Sequence, residues 1–250
     1  MTLGIWMVRT EAERLGLALQ QRLGGDVFRP WQNTAVSHKD QFHALFSQHS
    51  HWIMIMATGI AVRFIDGFVH NKHTDPAVVV VDEAARYAIA LLGGHEAGAN
   101  RLAYQIARAV NATPVITTAT EALKPLVIGI GCRKGVSAEQ IERAVNHALP
   151  GQALTNVREV ATIDLKAQEP GLLEFCARHD LPLRVFTLAQ IAARPWVTAP
   201  SNWVRENIGV DGVCEPCALL ACTRGRLIVP KTACDGVTVA AVQDNLELIL

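Results

Sequence analysis

Short apolar runs alternate with amphipathic helical stretches along the chain. In the first half, strand-like runs lie at 3–8, 27–29, 51–56, 77–81, 86–92 and 114–118, and helical patterns at 11–23, 38–48 and 96–110. The run 77–81 is apolar at every position, which is typical of a strand buried on both faces of a sheet. This pattern predicts an α/β fold in which a parallel or mixed sheet is flanked by helices.

The same pattern starts again in the second half. Further strands are predicted at 126–131, 159–163, 183–186, 226–229 and 236–242, and helices at 137–149, 171–179, 201–209 and 216–222. One series of elements ends, and the next begins, within the segment 121–125. We therefore predict two small α/β domains, 1–123 and 124–250.

Composition and charge argue against several classes of protein. The 250 residues include 23 lysines and arginines and 23 aspartates and glutamates, so the formal net charge is zero. This balance argues against a global electrostatic grip on nucleic acid. The longest apolar stretch, 52–62, is well short of the roughly 20 residues of a spanning helix, and residues 1–15 lack signal-peptide features. We expect a soluble, cytoplasmic protein with neither nucleic-acid nor membrane partners.

The six cysteines admit two interpretations. Cys214, Cys217, Cys222 and Cys234 are four thiols that zinc or an iron–sulfur cluster could use. The intervening residues are apolar and lack the glycine-rich turns of metal knuckles, which favours reduced, buried cysteines acting as small hydrophobic residues. We expect His38, His43, His49 and His51, in a polar segment, to face solvent.

Five segments carry glycine or polar residues that a purely structural element would not need. They are 57–59 with Arg63, 72–76, 93–100, 129–135, and 215–216 with 230–231. Glycines between a strand and a helix let backbone amides approach an anionic ligand. Gly129 and Gly131 lack the third glycine of a dinucleotide fingerprint, so a nicotinamide site is disfavoured.

His95 is a candidate general base or acid. It follows two glycines at a predicted strand end, close to a helix start, and imidazole titrates near neutral pH. In an α/β sheet the carboxyl ends of strands are where ligands usually bind. Capping of the following helix is the alternative role.

Glu215 is the second candidate. It lies in an apolar stretch, and burial would raise its pKa and make it a usable acid or base. The alternative is an exposed glutamate complementing a helix dipole. Arg63, Lys72, Arg133, Lys134 and Lys231 could line a site for a ligand with several carboxylates.

Taken in order, the chain's motifs resemble those of the cobalt-precorrin-5A hydrolase family of anaerobic cobalamin biosynthesis. The similar segments are MATGIAVR at 56–63, KHTDPAVVVVDE at 72–83, LLGGHEAGANRLA at 91–103, PVITTATE at 114–121, VIGIGCRKGVSAEQI at 127–141, SNWVRENIGVDGVCEPCALLA at 201–221 and LIVPKTACDGVTVAAV at 227–242. Longer family members carry a middle segment where this chain runs from Glu121 to Leu126, so this is a compact form. Ala97 stands at a glycine position, and Cys214 and Cys217 replace alanines.

The resemblance implies an enzyme that opens the δ-lactone of cobalt-precorrin-5A and releases a two-carbon unit, derived from C20, as acetaldehyde to give cobalt-precorrin-5B. Cobalt arrives with the substrate, so neither a cofactor nor a protein-bound metal is expected. A homodimer and transient contact with neighbouring precorrin methyltransferases are compatible with this role. The alternative function is a non-catalytic corrinoid-binding or delivery protein.

On this interpretation His95 or Glu215 activates water, and the choice between them stays open. The expected substrate-binding residues are Thr58, Gly59, Arg63, Lys72, Gly93, Gly94, Asn100, Gly129, Gly131, Arg133, Lys134, Ser201 and Lys231.

Overall fold

The computed structural model describes residues 2–246, and the chain divides into two units, Met1–Thr118 and Ala119–Leu250. The division falls five residues before the end of the first predicted domain at 123, so helix α5 (Ala119–Ala122) belongs to the second unit. Each unit has a mixed sheet flanked by helices, which confirms the predicted α/β class.

The first unit is built on a six-stranded sheet with the order β2-β1-β3-β4-β5-β6. Strands β1 to β4 are parallel, β5 is antiparallel to β4, and β6 is parallel to β5. Its strands are β1 Leu3–Met7, β2 Asp26–Phe28, β3 His51–Ile55, β4 Ala77–Val81, β5 Tyr87–Leu92 and β6 Thr113–Val115, and its helices are α1 Glu13–Leu23, α2 His38–His43, α3 Thr58–Ile65 and α4 Ala99–Val110.

The reversed direction of β5 decides which loops meet. Val78, near the start of β4, pairs with Leu92, the last residue of β5. The turn 93–98 therefore lies at the amino edge of the parallel strands, together with the loop 70–76 that leads into β4. Residues 57–59 follow β3 and lie at the opposite, carboxyl edge.

Side-chain alternation along these strands builds two cores, one on each face of the sheet. In β1, Ile5 points to the face covered by α1 and α4, and Trp6 points to the face covered by α2 and α3. In β3, Ile53 and Trp52 divide in the same way. The sheet is thus buried on both sides, as its apolar strands predict.

The second unit has a five-stranded sheet with the order β10-β11-β7-β8-β9. Strands β7, β8 and β9 are parallel, and β11 is antiparallel to both of its neighbours. Its remaining elements are β7 Leu126–Cys132, α6 Ala138–Ala148, β8 Val157–Ile163, α7 Pro170–Arg178, β9 Leu183–Phe186, α8 Leu188–Ala192, α9 Asn202–Ile208, α10 Cys214–Ala221, β10 Arg226–Cys234 and β11 Val237–Gln243.

Gly129 and Gly131 do not lie in a strand-to-helix turn, so that expectation is wrong. Both are inside β7, on the face that α10 covers. A Cβ at Gly129 would lie 1.8 Å from the Cys214 carbonyl oxygen, and one at Gly131 would lie 2.7 Å from Thr238 Oγ1. The glycines are required because the start of α10 packs directly on the backbone of β7.

Several elements differ from the sequence prediction. Helix α4 begins at Ala99 instead of 96, because residues 93–98 form a turn that ends at Gly98 with a φ of 88°. Helices α3, α5 and α8 are absent from the prediction. Helix α3 continues the apolar run that begins in β3, so periodicity does not mark its start. No helix within residues 2–246 is long and apolar enough to cross a membrane.

Replacing Gly129 with alanine should destabilise the second unit by about 1–3 kcal/mol or more, because the new methyl group overlaps a backbone carbonyl. Urea unfolding followed by circular dichroism measures the change. Gly59→Ala is the matched control: its Cβ meets only Arg63 Nη1, at 3.8 Å, and a helical glycine is being replaced, so stability should hold or rise by up to about 1 kcal/mol. Equal stability of wild type and Gly129→Ala would contradict the packing argument.

Candidate functional site

The turn 93–98 joins β5 to α4 through glycine backbone conformations. Gly93 has a φ of 67°, in the left-handed region that favours glycine. The Gly93 carbonyl accepts hydrogen bonds from Ala97 N and Ala99 N, both at 3.1 Å, and Gly94 O accepts one from Asn100 N at 3.0 Å. These bonds fold the turn tightly onto the first residues of α4.

Asn100 supports this turn from behind. Its Nδ2 donates to Thr118 Oγ1 at 2.9 Å, which ties α4 to the segment after β6. A Cβ at Gly94 would lie 2.6 Å from Thr118 Cγ2 and 2.9 Å from Asn100 Oδ1, so only glycine fits there. Asn100 thus holds the turn in place, and its expected contact with a ligand stays a prediction.

The turn carries groups suited to an anionic or electrophilic ligand. The His95 side chain is exposed, and within residues 2–246 the backbone amides of Gly94 and His95 have no hydrogen-bond partner. Unpaired amides beside an imidazole can bind a carboxylate or stabilise an oxyanion. Of the predicted site residues, His95 and Gly94 are therefore brought together, with Gly93 shaping the backbone between strand and turn.

Lys72 connects the neighbouring loop to this turn. Its Nζ lies 3.0 Å from Glu96 Oε1, and this hydrogen bond lowers the pKa of the Glu96 carboxyl. Both side chains remain accessible to solvent, so the ion pair contributes little to stability. It places a lysine amine against Glu96, the residue that follows His95 in the turn.

Two side chains fix the backbone of loop 70–76. The buried Asp75 accepts hydrogen bonds at Oδ2 from His70 N at 2.8 Å and Asn71 N at 2.9 Å. Asn71 Oδ1 in turn accepts from His73 N at 2.9 Å. The loop is thus internally braced, and it carries His70 and His73 as exposed side chains.

A cavity of about 600 Å³ opens at this amino edge, a volume within the usual range for small-molecule sites. Its walls combine aromatic and imidazole rings with the edge of the turn at Ala97. The lining includes Phe46, Phe68, His49, His51, His70 and His73. Sequence reasoning missed this cavity, because it arises only when the reversed β5 brings residues 93–98 beside the start of β3.

The expectation that the early histidines face solvent is wrong for His49, which is buried, whereas His38, His43 and His51 are partly exposed. His49 is 7% exposed, and its Nε2 lies 3.0 Å from Asp26 Oδ2. His51 is partly buried; its Nδ1 lies 2.9 Å from Ser50 Oγ, and burial lowers the pKa of its imidazole. His43 is also partly buried, with Nε2 at 2.8 Å from Phe64 O, and His38 is half-buried.

Thr58, Gly59 and Arg63 do not join the His95 group. They belong to α3, which begins at the carboxyl edge of the sheet, whereas His95 lies at the amino edge. Arg63 Nη1 donates to Gly59 O within that helix at 3.1 Å. These three residues therefore lie apart from the turn 93–98, because β5 runs against the parallel strands, and their expected contact with substrate stays a prediction.

Glu215 lies in the second unit at the start of α10 and is 1% exposed, so the alternative of an exposed glutamate is wrong. Its Oε1 accepts from Thr198 Oγ1 at 2.6 Å and Lys231 N at 2.9 Å, and its Oε2 accepts from Thr198 N at 2.8 Å. Three donors therefore converge on one buried carboxylate.

A β-bulge explains the need for this acceptor. Strand β10 shifts register against β11 between Val229 and Thr232, so the ladder skips Pro230 and Lys231. The amide of Lys231 is thereby freed, and Glu215 receives it. Glu215 thus joins α10, the bulge and the segment around Thr198.

The remaining basic and hydroxyl side chains of this unit that we expect to bind substrate are exposed or partly exposed at the protein surface. Lys231 Nζ lies 3.5 Å from Ala199 O, and Ser201 Oγ accepts from Val204 N at 3.4 Å as the cap of α9. Arg133 and Lys134 are exposed beyond the carboxyl end of β7.

The cysteines are free thiols, and those of α10 are buried. Burial raises the pKa of Cys214 to about 11 and that of Cys217 well above its usual value. Among residues 2–246, no three histidine, cysteine or acidic side chains form a group that could hold a metal ion. Buried cysteines acting as small hydrophobic residues agree with this arrangement.

Two family models match the chain. The model "Cobalamin synthesis G N-terminal" covers residues 40–121, and "Cobalamin synthesis G C-terminus" covers residues 126–242. The chain belongs to the cobalt-precorrin-5A hydrolase family. The N-terminal model contains the turn 93–98 and the loop 70–76, and the C-terminal model contains Glu215 and Lys231.

Curated relatives within the cobalt-precorrin-5A hydrolase family carry that name. The chain is 24% identical to "Cobalt-precorrin-5A hydrolase" of Priestia megaterium, with 79% of each chain covered. It is 25% identical to the protein of the same name from Salmonella typhimurium (78% of this chain, 82% of that one) and 26% identical to "Probable cobalt-precorrin-5A hydrolase" of Methanocaldococcus jannaschii (78% and 86%).

The first of these alignments spans 297 positions, more than the 250 residues of this chain. Part of the Priestia protein therefore has no counterpart here. This agrees with a compact member of the cobalt-precorrin-5A hydrolase family.

Glu215→Gln separates a structural role from a catalytic one. The three groups that bond to Glu215, Thr198 N, Thr198 Oγ1 and Lys231 N, are all hydrogen-bond donors. The side-chain Nε2 of glutamine is also a donor and would face one of them. The free energy of unfolding should therefore fall by about 1–3 kcal/mol. Urea unfolding measures this, with Glu206→Gln on the exposed side of α9 as a control that should leave stability unchanged. Loss of activity with unchanged stability would contradict the structural role.

Proposed function

We propose that the protein is a cobalt-precorrin-5A hydrolase that opens the δ-lactone of its substrate, releases the C20-derived two-carbon unit as acetaldehyde and forms cobalt-precorrin-5B. Membership of the family and the names of the relatives support the reaction class. The observation that carries the proposal is the turn 93–98, which combines the exposed imidazole of His95 with two unpaired backbone amides and lines a cavity through Ala97.

Lactone hydrolysis makes three demands on this turn. A water molecule must be activated, the tetrahedral oxyanion stabilised, and the leaving oxygen protonated as the acyl–oxygen bond breaks. In the proposed roles, His95 takes a proton from the attacking water and returns it to the leaving oxygen, which becomes a hydroxyl on C20. Acetaldehyde then leaves as the bond between C20 and the macrocycle breaks: the hydroxyl loses its proton to become the aldehyde carbonyl, and the macrocycle carbon keeps the electron pair and takes up a proton. The amides of Gly94 and His95 donate to the oxyanion.

Glu215 is less suited to this work. Both of its oxygens already accept hydrogen bonds from Thr198 and Lys231, and the side chain is buried. The proposal therefore assigns water activation to His95 and a positioning role to Glu215.

The acidic side chains of the corrinoid require cationic or amide donors. Lys72 is paired with Glu96, the residue after His95, and can exchange this partner for a substrate carboxylate at little cost, because the pair is solvent-exposed. Arg63, Arg133, Lys134 and Lys231 are the further cationic candidates, with Ser201 as a hydroxyl donor; their contacts with substrate stay predictions. In this proposal the cobalt belongs to the substrate, and hydrolysis requires no redox cofactor.

The first test is an anaerobic incubation of the purified protein with cobalt-precorrin-5A. We expect acetaldehyde, detected by coupling to alcohol dehydrogenase, together with the matching loss of corrinoid mass. A tight complex with unchanged corrinoid would instead identify a binding or delivery protein. The proposal would be overturned if the protein neither bound the corrinoid nor converted it.

His95→Ala should reduce turnover by about two orders of magnitude or more, the usual contribution of a general acid–base group. Corrinoid binding, measured by equilibrium dialysis, should change little, and the fold should persist because the side chain is exposed. The control is His147→Ala on the exposed side of α6. Wild-type turnover by His95→Ala would refute the catalytic assignment.

A further inference from the structure

The histidines around the amino-edge cavity fall into two groups. His49 and His51 have ring nitrogens engaged by Asp26 and Ser50, respectively, and both side chains are at least partly buried. His70 and His73 are exposed, and within the described part of the chain their imidazoles contact no hydrogen-bonding or charged partner. The second pair is therefore free to bind a ligand.

We propose that His73 supplies an axial imidazole ligand to the cobalt of the bound corrinoid. The inference rests on the proposed function, since it takes the substrate to be a cobalt corrinoid. It adds a protein contact that neither the family resemblance nor the names of the relatives assign.

The chemistry fits a single imidazole. A corrin macrocycle provides four equatorial nitrogens, so its cobalt needs only one protein ligand, and imidazole is the commonest metal ligand among side chains. A group of three or more protein ligands is thus unnecessary. An isolated, accessible histidine on a braced loop is sufficient.

The geometry favours His73 over His70. His73 N donates to Asn71 Oδ1, and the carbonyl of Asn71 accepts from Thr74 N and Asp75 N, so His73 lies at the centre of a hydrogen-bonded turn. The preceding residue, Lys72, donates a hydrogen bond from its Nζ to Glu96 of the turn 93–98. His73 is therefore carried on the part of the loop that is tied to the proposed catalytic turn.

The surroundings of the cavity fit the same ligand. Phe46 and Phe68 provide apolar walls. Lys72, which precedes His73 in the loop, carries a solvent-accessible amine that can pair with a side-chain carboxylate. A macrocycle lying across the mouth, with cobalt over the loop, presents its edge to the neighbouring turn and to His95. Axial ligation would thus fix the distance between the macrocycle and the proposed base.

Electron paramagnetic resonance tests the ligand directly. The probe is cobalt(II) cobyrinic acid, which carries free carboxylates and no base of its own. In low-spin cobalt(II) the unpaired electron occupies an orbital directed along the axial direction. A nitrogen-14 atom bound at the axial position therefore splits each cobalt line into a triplet. Protein labelled with nitrogen-15 histidine should convert these triplets into doublets.

We expect the nitrogen splitting in wild type, its loss in His73→Ala, and its retention in His70→Ala and His147→Ala. All three side chains are exposed, so the variants should fold alike. A bound probe without nitrogen splitting, splitting that persists in His73→Ala, or splitting lost only in His70→Ala would each overturn the inference.

The acetaldehyde assay separates this inference from the proposed function. Turnover by a protein whose bound cobalt shows no nitrogen ligand would leave the hydrolase intact and remove the axial role of His73. Absence of both probe binding and turnover would overturn both.

Discussion

The site in the first unit depends on the direction of one strand. Because β5 runs against β4, the turn that follows it closes over the amino edge of the parallel strands. The loop 70–76 enters β4 at the same edge, so His95, Lys72 and the histidine-lined cavity come together. In a fully parallel sheet the turn would lie at the other edge, and these groups would be separated by the length of a strand.

The second unit depends on backbone contact between α10 and β7. The glycines of β7 let the helix start touch the strand, and this places Glu215 where it can serve the bulge of β10. A carboxylate that accepts three hydrogen bonds fixes the relative positions of three segments. Glycine thus has different roles in the two units: it shapes an exposed turn at Gly93 and permits close packing at Gly129.

The sequence predicts the α/β class, most strands and the turn at His95, because these follow from local periodicity and glycine placement. It does not reveal that Thr58 and His95 lie at opposite edges, since strand direction is set by tertiary pairing. The partners of buried polar side chains are not predicted from the sequence, for a related reason. His49 and Glu215 are stabilised by Asp26, Thr198 and the Lys231 amide, and sequence spacing does not indicate which distant donors and acceptors will meet.

The bulge in β10 has a consequence beyond its bond to Glu215. Strand β10 is at the edge of its sheet, where a regular strand would expose a row of backbone groups to strands of other molecules. Pro230 has no amide hydrogen, and the Lys231 amide is turned toward a buried carboxylate. The irregularity therefore interrupts the template for edge-to-edge aggregation and helps keep neighbouring molecules apart at high concentration.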